Sequence, residues 1–221
     1  MELYDVMRTT FACRDYSGEA ISDAVLATIL ENARFAPSGG NRQGGHIIVV
    51  RDAATKDRLA QLSEPAAKRY AAQVKAGESP WNAVNPSTVS AETIAATPAP
   101  GLLTEPFRTA DVVLVVCVNL GRVASMDQDL ERIGMISGAS IYPLVWNILL
   151  AARHEGCGGT ITTLAVAREP ELVDLLALPE KYAVAAVVPL GRPVKQLTRL
   201  KRQEVTEFVT CERFDGDAFG R

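Results

Sequence analysis

The chain has 221 residues, 48% hydrophobic and 22% charged, with a formal net charge of −3. That length suits one large domain or two small ones, and the balance is that of an ordinary soluble globular protein. The slight acidity argues against a nucleic-acid surface, which needs a basic domain.

Met1-Glu2-Leu3-Tyr4-Asp5 is acidic and lacks the apolar run of a signal peptide. No uncharged apolar stretch reaches the roughly 18 residues of a membrane span, so no membrane association is expected. The four cysteines, at 13, 117, 157 and 211, form no C-x-x-C pair, and His46 and His154 are the only histidines. No zinc ligand set follows from them, and reduced thiols in a cytoplasmic protein are expected.

Residues 2–10 read as a short helix with Leu3, Val6 and Met7 on one face. Arg8 through Tyr16 is turn-rich and partly basic. Ser22 is placed to cap a helix whose stripe is Val25, Leu26, Ile29, Leu30 and Ala33. The chain then turns at Ala36–Gln43. Pro37 drives Ala36 out of the helical region, and Gly39 and Gly40 permit positive φ. Ser38, Asn41, Arg42 and Gln43 supply donors and acceptors. This stretch reads either as a loop that grips a flat polar ligand or as an ordinary helix-to-strand connection.

His46–Val50 is a continuous apolar run, read as a strand covered on both faces. Thr55–Leu62 reads as an amphipathic helix. Residues 63–108 are rich in Ala, Ser, Thr and Pro, with Tyr70, Trp81 and Phe107 as aromatic surface. They read as helical pieces joined by loops and acting as a lid. Asp111–Val118 is the clearest strand and belongs at the sheet centre. Ile133–His154 reads as one long buried helix interrupted or kinked at Pro143, ended by Gly156. A short helix over Glu169–Ala177 and a strand over Ala183–Leu190 follow. The tail is basic, then amphipathic. The alternation indicates α/β or α+β around one mixed sheet.

There is no G-x-S-x-G elbow, no Walker loop and no G-x-G-x-x-G opening a helix. Serine-hydrolase, ATP-driven and Rossmann chemistry are therefore disfavoured. What remains is a distributed polar set suited to an extended cofactor with a phosphate at one end and a polar ring at the other.

Arg8-Thr9-Thr10-Phe11-Ala12-Cys13-Arg14-Asp15-Tyr16, Ala36-Pro37-Ser38-Gly39-Gly40-Asn41-Arg42-Gln43, Gly156-Cys157-Gly158-Gly159-Thr160-Ile161-Thr162-Thr163 and Pro189-Leu190-Gly191-Arg192-Pro193 occur in this order. Together they resemble the FMN-dependent nitroreductase family over nearly the whole chain. The resemblance implies a dimeric, three-layer α+β fold with a central mixed sheet flanked by helices. It implies a single domain over 1–221, with a lid-like insertion at about 63–108 and a C-terminal extension at about 194–221 that reaches the partner chain. The homodimer would carry interfacial active sites.

By the same resemblance, Thr10, Phe11, Ala12, Arg199 and Lys201 hold the FMN phosphate and ribityl chain. Pro37, Ser38, Gly39 and Asn41 meet the ribityl chain or ring edge, and Gln43 acts across the interface. Gly158, Gly159, Ile161, Thr162 and Thr163 line the ring, with Thr162 or a nearby N–H as the catalytic group beside N5. Tyr70 and Trp81 shape the substrate. The family's Arg-Arg-Ser-x-Arg-x-aromatic motif is altered, since Thr10, Phe11 and Ala12 precede Arg14 and Tyr16. Arg8, one turn upstream, is placed to substitute for the missing cations.

The implied activity is NAD(P)H-dependent flavin oxidoreduction. NADH or NADPH would reduce a small planar or aromatic acceptor (a nitro compound, quinone or related) by ping-pong hydride transfer through flavin N5. The alternatives are a non-catalytic flavin- or deazaflavin-binding protein of the same fold and a cofactor-free interaction module.

Overall fold

The computed structural model describes residues 1–220. Strands β1 (Gly45–Val50), β2 (Val112–Asn119), β3 (Gly158–Gly159) and β4 (Tyr182–Gly191) form one sheet in the order β1-β2-β4-β3. Every strand pair is antiparallel. The mixed sheet expected from the sequence is corrected to this extent. Among the described residues, parallel pairing enters only at the isolated bridge between Ala12 and Gly159.

Strand β2 has seven consecutive buried residues because both its faces are covered. Side chains alternate across a strand, so one face carries Val112, Leu114, Val116 and Val118. They pack with α2 (Asp23–Ala33) and α6 (Tyr142–His154). The opposite face carries Val113, Val115 and Cys117, packed with α3 (Ala53–Lys75), α5 (Gly101–Thr109) and α7 (Glu169–Leu176). The result is a three-layer α+β arrangement. Helix α1 (Leu3–Thr9) lies against α6, and α4 (Ala91–Ala96) against α3.

Local chemistry accounts for the helix ends. Ser22 Oγ accepts the Val25 N–H at 3.3 Å, as the cap reading expects. At the end of α6, Cys157 N–H donates to Ala152 O at 2.7 Å and Gly156 N–H to Arg153 O at 3.2 Å. Gly156 has φ +73°, which completes a Schellman turn.

Three expectations are revised. Strand β1 is an edge strand with a partly bare face, Val49 being 44% exposed. An apolar run alone does not separate an edge strand from a central one. Helix α3 runs on through Pro65 to Lys75. Pro65 and Gln61, whose carbonyl the proline leaves without its helical donor, both lie on the exposed side of the helix, where that loss costs less than in the core. Helix α6 starts at Tyr142, after a 3-10 turn over Ile136–Ser140, and Pro143 sits in its first turn. A proline there costs no hydrogen bond and introduces no kink.

The tail beyond Gly191 is largely irregular, with one short helix, α8 (Val205–Phe208). No helix among the described residues is long and apolar enough to cross a membrane.

Candidate active site

Two segments far apart in sequence are stitched together first. Cys13 N–H donates to Gly159 O at 2.9 Å, beside the Ala12–Gly159 bridge. The buried Tyr16 hydroxyl lies 2.9 Å from Cys13 O and 3.0 Å from Pro189 O. Burial raises its pKa far above the ordinary phenol value, so it stays a neutral donor. Gly158 and Gly159 are buried and line no described cavity, and their lack of a side chain is explained by this packing. A Cβ on Gly158 would stand 2.9 Å from Cys13 Cβ.

The chain leaving Gly159 forms one wall of a cleft of about 560 Å³. That wall is Thr160–Ala167. Opposite stand Ala66 and Tyr70 of α3, Pro80 and Trp81 of the following loop, and Leu103, Pro106 and Phe107 of α5. Tyr70, Trp81, Ile161, Thr162 and Thr163, the expected ring and substrate residues, therefore meet in one place. Arg14 is the only charged side chain lining the cleft among the described residues. The candidate set omitted Arg14, Thr160 and Phe107. Arg14 and Thr160 lie inside the motifs quoted above, and Phe107 belongs to the aromatic surface expected of the lid.

Thr162 is held by the sheet. Its N–H donates to Val187 O at 2.9 Å, and Val187 N–H donates back to Thr162 O at 2.8 Å. Thr162 Oγ1 accepts the Leu164 N–H at 3.4 Å, which leaves its own proton to give. The next amide is different: among the described residues the Thr163 N–H has no acceptor.

Trp81 is held against the cleft with φ +53°, a left-handed conformation that costs a bulky residue ~1–3 kcal/mol. The Arg69 guanidinium lies 4.2 Å from the centre of its ring system.

The remaining expected residues lie elsewhere in the chain. The Pro37–Gln43 loop borders a separate depression of about 320 Å³ with Arg34, His46, Ser140 and Leu144. Ser38 Oγ accepts the Gln43 N–H at 2.9 Å, and the Gly39 N–H donates to Ser140 Oγ at 3.1 Å. Asn41 and Gln43 both hold positive φ, +51° and +47°, so this is a shaped loop. Arg8 is exposed beside Tyr4, and Arg199 and Lys201 are exposed and line none of the described cavities. Thr10 is buried with its hydroxyl donating to Val6 O at 2.7 Å, Phe11 is half-buried, and Ala12 is exposed. A cation that the sequence reading missed is Arg153, whose Nε donates to Thr9 Oγ1 at 3.0 Å.

The buried Cys13, Cys117 and Cys157 thiols all have raised pKa values from desolvation, Cys117 reaching about 11. None is poised as a nucleophile.

The three-layer α+β fold thus sets an apolar cleft beside a glycine-rich strand end, the setting of a small-molecule site. Residues 7–192 match the model of the Nitroreductase family, and the chain belongs to that family. A curated protein of Archaeoglobus fulgidus with the provisional name NADH dehydrogenase/NAD(P)H nitroreductase is 29% identical over 222 residues, covering 100% of this chain and 97% of its own. The solved structure of B. megaterium NfrA1 matches with a TM-score of 0.70 at 18% identity, over 96% of this chain and 75% of its own. An oxidized iodotyrosine deiodinase bound to FMN and 3-iodo-L-tyrosine matches with a TM-score of 0.69 at 20% identity, over 96% of this chain and 100% of its own.

Proposed function

We propose that the chain is an FMN-dependent oxidoreductase that uses NADH or NADPH to reduce a small flat acceptor, such as a nitroaromatic or quinone. The observation that carries this reading is the free Thr163 N–H, set beside the Thr162 hydroxyl on a cleft wall that faces apolar and aromatic side chains. The cleft volume lies within the range of about 300–1,000 Å³ typical of small-molecule sites. Backbone and hydroxyl donors on one wall suit the nitrogen-rich edge of an isoalloxazine ring, and apolar surface suits its faces. The residues present therefore fit FMN. The chemistry it supplies when bound is ping-pong hydride transfer through N5.

The protein's own part is to bind, orient and shield. Thr163 N–H and Thr162 Oγ1–H donate at the ring edge. Ile161 presents apolar surface, and Trp81, Leu103 and Phe107 exclude water opposite. Arg14 supplies positive charge where reduction builds negative charge. Arg8, Arg153, Arg199 and Lys201 are the cations available for the phosphate, in place of the altered motif at Thr10–Ala12. Ser38, Gly39, Asn41 and Gln43 serve the ring of the partner chain, and the tail beyond Val194 reaches that partner in a homodimer. Residues 63–108 act as the lid over the substrate. Four cysteines without a disulfide suit a reducing cytoplasmic setting.

A second reading, a non-catalytic flavin or deazaflavin binder, is favoured by the absence of cations at Thr10, Phe11 and Ala12. Anaerobic titration of the flavin-loaded protein with NADH and then NADPH separates the two. Bleaching of the oxidised flavin band supports the reductase; a band that neither donor bleaches leaves only the binder.

A further inference from the structure

The loop after α3 is bonded to itself around two side chains. Gln73 is buried to 2% exposure, and its Oε1 accepts the Trp81 N–H at 3.1 Å. Its Nε2 donates to Glu78 Oε2 at 3.2 Å. The same Glu78 carboxylate accepts Ser87 Oγ–H at 2.6 Å, Thr88 N–H at 2.7 Å and Thr88 Oγ1–H at 2.8 Å. Trp81 is fixed from other sides as well, through Nε1–H donating to Ala66 O at 3.4 Å and through the stacked Arg69. A left-handed tryptophan persists only where its surroundings over-determine it.

We propose that Gln73 and Glu78 are positioning residues that hold Trp81 as a fixed indole plate at the cleft, and that this plate selects flat uncharged aromatic acceptors over zwitterionic ones. The inference rests on the reading of this cleft as the acceptor site. Charge supports it. Among the described residues lining the cleft there is no carboxylate to pair with an ammonium group, and the lid side offers only Tyr70 as a polar side chain. Arg14 can pair with the carboxylate of an amino-acid substrate, but its ammonium group would lose hydration there without an ionic partner. A flat neutral ring loses little and gains stacking on the indole.

Calorimetric titration of the oxidised, flavin-loaded protein, with no electron donor present, reads binding alone. The probes are 1-nitronaphthalene and 3-iodotyrosine. Wild-type protein binds the first and not the second over the same concentrations. Trp81→Ala weakens 1-nitronaphthalene binding by about tenfold, and Trp81→Phe by no more than about threefold. Glu78→Ala raises KM for 1-nitronaphthalene more than it lowers kcat, and Glu78→Gln, which keeps an acceptor oxygen, recovers part of the loss. Binding unchanged in Trp81→Ala, KM unchanged in Glu78→Ala, or 3-iodotyrosine held as tightly as the nitroarene would each overturn the proposal. A protein that neither donor reduces, yet binds 1-nitronaphthalene through Trp81, sinks the reductase reading and leaves the plate standing.

Discussion

At Gly159 a Cβ would stand 2.4 Å from Leu190 Cδ2 and 2.6 Å from the backbone oxygen of Pro189. The second neighbour is backbone and cannot swing aside, so strands β3 and β4 would have to separate. Gly159→Ala is expected to destabilise the fold by about 1–3 kcal/mol, the usual cost of forcing extra volume into a packed site. Because Gly159 O also accepts the Cys13 N–H, the displacement reaches the N-terminal segment, and the variant should also retain less flavin. Thermal melting and the flavin content of the purified protein check both effects. A variant with wild-type stability would show that the strands part easily. Gly191 has a related constraint, since its Cβ would meet the Tyr16 ring at 2.6 Å. These two glycines and Tyr16 tie the N-terminal motif to the end of the sheet.

Two loops are each gathered around one carboxylate. Glu78 anchors the loop that carries Trp81. Asp127, 3% exposed, accepts Met135 N–H at 2.7 Å, Arg132 Nη1–H at 2.8 Å and Ile136 N–H at 3.3 Å. The donors around each favour its charged form and hold both pKa values down to about 2, below ordinary values of 4.5 and 3.8. A carboxylate whose pKa is lower folded than unfolded adds stability above its ordinary value. That stability is lost as the pH falls toward the folded value. Both loops are therefore expected to be fully held at pH 6 and to loosen progressively from about pH 4.5 down to about pH 2. Tryptophan emission in a Trp146→Phe background, where Trp81 is the only tryptophan, should shift in that window and not above it. A Glu78→Gln variant should shift at neutral pH. How much of this was legible beforehand differs by element. Helix α2, the end of α6 and strand β2 were readable, because a serine cap, a glycine stop and a β-branched run act within a few residues. The continuation of α3 past Pro65 was not, since only the exposure of Gln61 makes that proline tolerable. Nor did the start of α6 follow from a stripe that extends evenly back to Ile133. The latch on Trp81 links Gln73, Glu78, Ser87 and Thr88, and no short-range pattern announces it.

Over the whole molecule, large apolar side chains remain bare on several elements, Leu3, Tyr4 and Met7 of α1 among them. Tyr142 and Trp146 on α6 are 45% and 41% exposed, and Phe214 in the tail is fully exposed. Bare apolar groups of this size suit a surface covered by a second copy of the chain. The flavin-loaded protein is expected to sediment as a dimer at low micromolar concentration. A chain ending at Val194 should dissociate and release flavin together. A flavin-loaded monomer at the same concentration would remove the interfacial reading of the Ser38 loop and of Arg199 and Lys201. In a dimer, the separation between that loop and the Trp81 cleft within one chain would be a matter of which copy each serves.

The reciprocal bonds between Thr162 and Val187 have a kinetic consequence. Val187 is fully buried in β4, so this wall of the cleft is tied directly to a core strand. In deuterium exchange the amides of Thr162 and Val187 should be well protected, since each is hydrogen-bonded to the other residue's carbonyl. The neighbouring Thr163 amide, with no acceptor, should exchange almost as fast as in a peptide and slow sharply when flavin is added. The sheet thus holds one of two adjacent backbone donors fast and leaves the other free for a ligand.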